Sequence, residues 1–147
     1  LKVSMLTVYT AGGSEMLRVA RETAGEETLV LGVTVLTSMD GADLNAVGVS
    51  DEPSAQVERL GRLAVQSGLG GLVCSPREIE LLRGVLPREV RLVTPGIRPA
   101  GSVAGDQKRT LTPPEAITAG ADWLVIGRPI TAAENPREAA EAILADI

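Results

Sequence analysis

No histidine occurs anywhere in the 147-residue chain. Its absence removes Ser-His-Asp triads, Cys-His dyads, HExxH zinc sites and imidazole general bases from consideration. A single cysteine, Cys74, rules out an internal disulfide framework and a multi-cysteine zinc site. Aromatic residues are nearly missing too: Tyr9 and Trp123 stand alone, with no phenylalanine. The core must therefore be aliphatic, and stacking platforms for single-stranded nucleic acid have no rings to use. Positive charge is scarce, with a net charge of −5, so a nucleic-acid partner is not expected. The apolar runs, of which Thr28 to Leu36 is among the longest at about nine residues, are too short to span a bilayer. No basic segment followed by an apolar stretch and a small-residue cleavage site opens the sequence, so the expected location is cytoplasmic, without a membrane partner.

What is present is enough Val, Leu, Ile and Ala, within a 44% hydrophobic composition, to build the core of one domain spanning residues 1–147. Short apolar runs at Met5–Tyr9, Leu29–Leu36, Gly71–Cys74, Val90–Thr94 and Trp123–Ile126 show little polar alternation, the pattern of parallel strands buried on both faces. Helical patterns lie between them. Ser14 is placed to cap a helix reaching Ala24. Val57, Leu60, Leu63 and Ala64 form one stripe of a helix over Pro53–Ser67. Ser75-Pro76 opens a third helix with proline at its first position. Thr112-Pro113-Pro114-Glu115 reads as a capping box for a fourth, and Asn135-Pro136-Arg137-Glu138 repeats that logic for a last helix. The alternation predicts five consecutive βα units in a parallel α/β sheet with right-handed crossovers.

Two connections, Ser38–Asp51 and Pro95–Leu111, are longer than usual and follow strands, where α/β proteins carry ligand sites. In Val125-Ile126-Gly127-Arg128-Pro129-Ile130 a buried strand ends at a glycine that lets an anion approach the backbone. Arg128 adds a bidentate donor suited to phosphate, and Thr131-Ala132-Ala133-Glu134 is expected to form the following helical turn. A solvated surface turn is the plainer alternative. The stretch from Thr94 to Arg109 is rich in glycine and donors. A phosphate held between the loops after the last two strands is a recurrent arrangement in (β/α)8 barrels.

Six segments carry a specific resemblance: Met5-Leu6-Thr7-Val8 with Gly12-Gly13, Val33-Thr34-Val35-Leu36-Thr37-Ser38, Val73-Cys74-Ser75-Pro76, Thr94-Pro95-Gly96-Ile97-Arg98-Pro99, Gly105-Asp106-Gln107-Lys108-Arg109 and Ile126-Gly127-Arg128-Pro129-Ile130. In this order and spacing they resemble the bacterial orotidine 5′-phosphate decarboxylase family over its last five βα units. The resemblance implies a TIM-barrel portion, either an oligomerised half barrel or a rearranged, open flavodoxin-like sheet. It implies the cofactor-free conversion of orotidylate to UMP and CO₂ in pyrimidine biosynthesis. Gln107, Gly127 and Arg128 would bind the phosphate, Thr37 would contact the pyrimidine, and Pro95 would help cover the ligand.

The family's catalytic network of alternating Asp and Lys is centred on an Asp-x-Lys-x-x-Asp motif on the third barrel strand. Here the sole Asp-x-Lys is Asp106-Gln107-Lys108, with Leu111 at the second Asp position and the whole lying in the phosphate loop. Lys2 and Lys108 are the only lysines, and neither is placed as a buried proton donor to the C6 carbanion that this reaction passes through. No catalytic residue is therefore assigned. The first three βα units, ~90–100 residues of a ~250-residue barrel, are expected to lie outside this sequence. Tyr9 and Thr10 replace a His and a small residue of the family and put a phenol and a hydroxyl where ligands sit. Five strands cannot close a barrel, so homo-oligomerisation or a complementing N-terminal half is expected. Two functions stay open: part of the decarboxylase, or a standalone half barrel that binds phosphate or a nucleotide without turnover.

Overall fold

In the computed structural model of the chain, residues 2–99 and 110–147 are described. Five strands, β1 (Met5–Tyr9), β2 (Leu29–Val33), β3 (Gly71–Val73), β4 (Arg91–Thr94) and β5 (Trp123–Leu124), form one parallel sheet in the order 1-2-3-4-5. Among the described residues, seven α-helices connect or follow them: α1 (Ser14–Ala24), α2 (Gly41–Ala46), α3 (Pro53–Gln66), α4 (Ile79–Val85), α5 (Pro113–Ala119), α6 (Arg128–Thr131) and α7 (Pro136–Ala145), with short 3-10 turns at Thr10–Gly12 and Pro76–Glu78. Sequential order with right-handed crossovers places successive helices on one side of the sheet, as in a barrel wall. Helix contacts run in the same sense, α1 with α3, α3 with α4 and α4 with α5. A flavodoxin-like sheet with helices on both faces is thereby excluded, because that fold needs strands out of sequence order.

Pairing and alternation sort the strand residues onto two faces. Val30, Leu72, Cys74 and Leu92 point to the helices and build the core with Leu17, Val57, Leu60, Ala64, Ile79 and Leu82. Gly32 belongs to this face: a Cβ there would stand 3.1 Å from the Ala64 Cβ, so its lack of a side chain lets α3 lie close to β2. The opposite face carries Met5, Tyr9, Leu31, Val93 and Trp123. On that face Met5, Tyr9 and Trp123, on the two outer strands, are exposed, whereas Leu31 and Val93 in the middle are buried.

Most helix ends follow the sequence signals. Asn135 Oδ1 accepts from the Glu138 N–H at 3.3 Å, Ser75 Oγ accepts from Arg77 N–H, and Glu115 Oε2 accepts from the Thr112 N–H at 2.8 Å. Three details differ from expectation. Ser14 is the first helical residue rather than the cap; Gly13, at φ 86°, makes the turn and its carbonyl accepts from Leu17 N–H. Ser38–Asp51 holds a helix, α2, begun by Asp40, which accepts from Ala42 and Asp43 N–H while Asp43 reciprocates. The helical turn after β5 starts at Arg128, three residues earlier than expected, with the Ile130 and Thr131 N–H groups bonded to the Gly127 carbonyl.

Candidate functional site at the carboxyl edge

Parallel pairing brings the carboxyl ends of all five strands to one edge. After β2, Thr34 still ties to β3, its N–H and Oγ1 both donating to the Val73 carbonyl. The chain then turns, with Met39 N–H on the Leu36 carbonyl. Thr37 sits in that turn and is 9% exposed. Pro95 follows β4 and is half-buried. Gly96, at φ 81°, turns the backbone so that Ile97 can bridge to Leu111, with Arg98 N–H donating to the Leu111 carbonyl at 2.9 Å. This bridge pins together the two ends of the long loop that begins after β4. Gln107 lies outside the described residues.

Gly127 and Arg128 follow β5 and are exposed. Val125 N–H donates to the Thr94 carbonyl at 2.9 Å, which holds the end of β5 against the end of β4. Pro95 and the Gly127–Arg128 pair thus come from adjacent strands, while Thr37 stands two strands away beyond β3. At the start of α6, Pro129 has no N–H and the Ile130 and Thr131 N–H groups donate to the Gly127 carbonyl, so the backbone donors at this turn are those of Gly127 and Arg128, to which the Arg128 guanidinium adds a full positive charge.

Of the two residues expected at the end of β1, Tyr9 is exposed there and Thr10 is not. Tyr9, 62% exposed, lines a cavity of about 180 Å³ with Thr34, Val35, Leu36, Met39 and Gln56. The Thr10 hydroxyl is not presented to a ligand as expected. Thr10 is fully buried against α3, its Oγ1 lies 2.7 Å from where a Gly32 Cβ would stand, and that oxygen makes no hydrogen bond. In the 3-10 turn Pro76–Glu78 that leads into α4, Glu78 is a buried acid. Its signal in the sequence is weak, an acidic residue three positions after a capping serine, which ordinarily marks an exposed first turn. Among the described residues no cluster of His, Cys, Asp or Glu could hold a metal ion. No helix there is long and apolar enough to cross a membrane.

Residues 1–143 match the model of the family described as Orotidine 5′-phosphate decarboxylase / HUMPS. The chain belongs to that family. An orotidine 5′-phosphate decarboxylase of Opitutus terrae is 56% identical over 150 residues, covering 100% of this chain and 65% of the relative. One from Anaeromyxobacter dehalogenans is 52% identical over 144 residues, covering 98% and 63%. The crystal structure of the Lactobacillus acidophilus orotidine 5′-phosphate decarboxylase superposes with a TM-score of 0.82 at 35% identity, covering 99% of this chain and 63% of that one. The chain thus spans just under two thirds of the length of these orotidine 5′-phosphate decarboxylases. The neighbouring family structures are TIM barrels, and the five-stranded sheet here is α/β of the same kind.

Proposed function

We propose that this chain is the nucleotide-phosphate-binding part of an orotidine 5′-phosphate decarboxylase. The family match over residues 1–143 carries the reading. The pairing of the β4 and β5 ends supports it, because it sets the Gly127 and Arg128 backbone beside the loop that starts at Pro95. In this proposal the phosphate of a nucleoside monophosphate lies against the Gly127 and Arg128 N–H groups, with the guanidinium as a charge-assisted donor. Gln107 closes on its other side, Pro95 helps cover the ligand and Thr37 lies toward the pyrimidine. The setting would be cytoplasmic pyrimidine biosynthesis.

Turnover is assigned to the complete enzyme rather than to this chain. Decarboxylation at C6 needs a lysine positioned to protonate a carbanion and a carboxylate to crowd the departing CO₂. Lys2 is exposed on the segment before β1, Lys108 is the only other lysine, and no Asp-x-Lys-x-x-Asp occurs. The same scarcity favours the second reading, a half barrel that binds a nucleotide without turnover when alone.

Calorimetric titration of UMP into wild type and Arg128→Ala tests the binding site. Removing a charge-assisted contact of about 1.5–3 kcal/mol should weaken binding roughly ten- to a hundred-fold. Equal affinities would refute the site. Orotidylate assayed with the chain alone should not be consumed at enzymatic rates of ~1–10³ s⁻¹; such turnover would refute the division of labour.

A further inference from the structure

Tyr9 ends β1 on the inner face of the sheet and is largely exposed, although its cross-strand partner Val33 is half-buried. The other aromatic residue of the chain, Trp123, starts β5 at the opposite edge, so Tyr9 is the only aromatic ring at the carboxyl edge. It forms one wall of the recess of about 180 Å³ between the ends of β1 and β2, where Thr34, Val35, Leu36, Met39 and Gln56 supply other walls. A cavity of about 150 Å³ admits a benzene-sized ring, so this recess has room for a single six-membered ring.

Position along the wall selects the occupant. β1 and β5 are four strand steps apart in a sheet of sequential order, and a TIM barrel closes with eight strands. Four steps are half that circuit, so the carboxyl ends of β1 and β5 face each other across the mouth. A phosphate held by the Gly127 and Arg128 N–H groups leaves the rest of its nucleotide to extend from β5 across the mouth, toward the ends of β1 and β2 where the recess lies. We propose that Tyr9 is a specificity-determining residue, its ring packing against the pyrimidine of the bound nucleotide, which enters the recess between Tyr9 and the Leu36–Met39 turn. An aromatic wall favours a base because every base has a π-face to stack on it. The single-ring volume favours a pyrimidine over a purine. Tyr9 offers a wider ring than the histidine usual at this place in the family. The assignment deepens the proposed function by naming a base-recognising side chain, and it rests on that reading's placement of the phosphate.

Tyr9 is the only tyrosine, so labelling with fluorotyrosine gives the chain a single fluorine resonance that reports on this position. UMP should move that resonance together with the Gly127 and Arg128 amides. Ribose 5-phosphate, which carries the phosphate and no base, should move the amides and leave the fluorine in place. By calorimetry Tyr9→Ala should weaken UMP at least about fivefold, the low end for loss of a base–aromatic stack, and leave ribose 5-phosphate unaffected. Tyr9→Phe, which keeps the ring, should bind UMP as wild type does. AMP should bind wild type more weakly than UMP, and Tyr9→Ala should narrow that gap. Both variants should keep the wild-type far-ultraviolet spectrum, because the side chain is exposed. A fluorine resonance that stays in place while UMP saturates the amides would overturn the assignment and leave the phosphate site standing. So would a Tyr9→Ala that binds UMP like wild type, weakens both ligands alike or leaves the gap to AMP unchanged, or a Tyr9→Phe that loses as much as Tyr9→Ala. Amides that respond to neither ligand would refute the phosphate site itself, and the assignment of Tyr9 would fall with it.

Discussion

Asp122 lies at the amino edge of the sheet, opposite the proposed site, where three groups converge on one carboxylate. Leu92 N–H donates to it at 2.7 Å, Arg91 at 3.0 Å, and the Arg83 guanidinium spans it and the Gly120 carbonyl. Partial burial alone would raise its pKa; the Leu92 N–H and the two arginines outweigh that and hold it below the usual carboxylate value. The folded state therefore binds the Asp122 proton less readily than the unfolded chain does. That stabilisation is fully present above the unfolded value of about 3.9 and is lost as the pH falls through the lower folded value. Asp122→Asn should remove this component. We expect chemical denaturation at neutral pH to show a loss of about 1–3 kcal/mol, and the variant's stability to fall less steeply than wild type below about pH 4. An unchanged acid limb would contradict this. None of the network was legible beforehand, because nothing in the sequence pairs Arg83 with a residue thirty-nine positions away. Gly127 and Arg128 stood out as candidates because a glycine and an arginine after an apolar run have a local chemical meaning; the run itself was misread as a buried strand, since β5 is only the exposed Trp123 and half-buried Leu124 and ends three residues before Gly127. Thr10 was misread for the converse reason: which way a residue faces just past a strand depends on the turn, and here the turn buries the hydroxyl under α3.

Among elements, the strands and long helices were read nearly to their ends, since apolar runs and the 3.6-residue stripe of α3 are local signals. The helix α2 was missed because only Leu44 of its six residues is buried, so it has no apolar stripe. Its signal was the cap, Asp40 with Asp43, inside a stretch that read as loop. Close packing of elements shows at the glycines. A Cβ on Gly71 would stand 2.8 Å from the Arg91 carbonyl oxygen of β4 and 2.6 Å from Leu31 Cδ2. The backbone atom cannot move aside without disturbing the β3–β4 ladder. Gly71→Ala should therefore destabilise the fold by about 1–3 kcal/mol. Gly84, exposed on α4 with nothing within 4 Å of an added Cβ, gives the opposite expectation. Gly84→Ala should stabilise by about 0.5–1 kcal/mol through helix propensity alone. Thermal denaturation of the two variants checks both signs, and a neutral Gly71→Ala would mean that β3 and β4 are less tightly apposed than described.

For the whole molecule, the order of the strands matters more than their number. Sequential pairing makes the sheet a continuous arc of barrel wall, gathers every strand's carboxyl end at one edge, and leaves β1 and β5 as open margins. The sequence foretold the parallel sheet but left barrel and flavodoxin-like arrangements undecided, because βα alternation is common to both; burial on both faces holds for the middle strands, whereas β1 and β5 at the margins are largely exposed. The central claim concerns the ligand edge and is tested most directly by an amide-resolved NMR titration of the chain with UMP. The Gly127 and Arg128 amide resonances should move and saturate together, while those of Leu92 and Asp122, at the opposite edge, stay in place. Resonances of Gly127 and Arg128 that do not move at saturating UMP, or a response confined to another part of the sheet, would contradict the account.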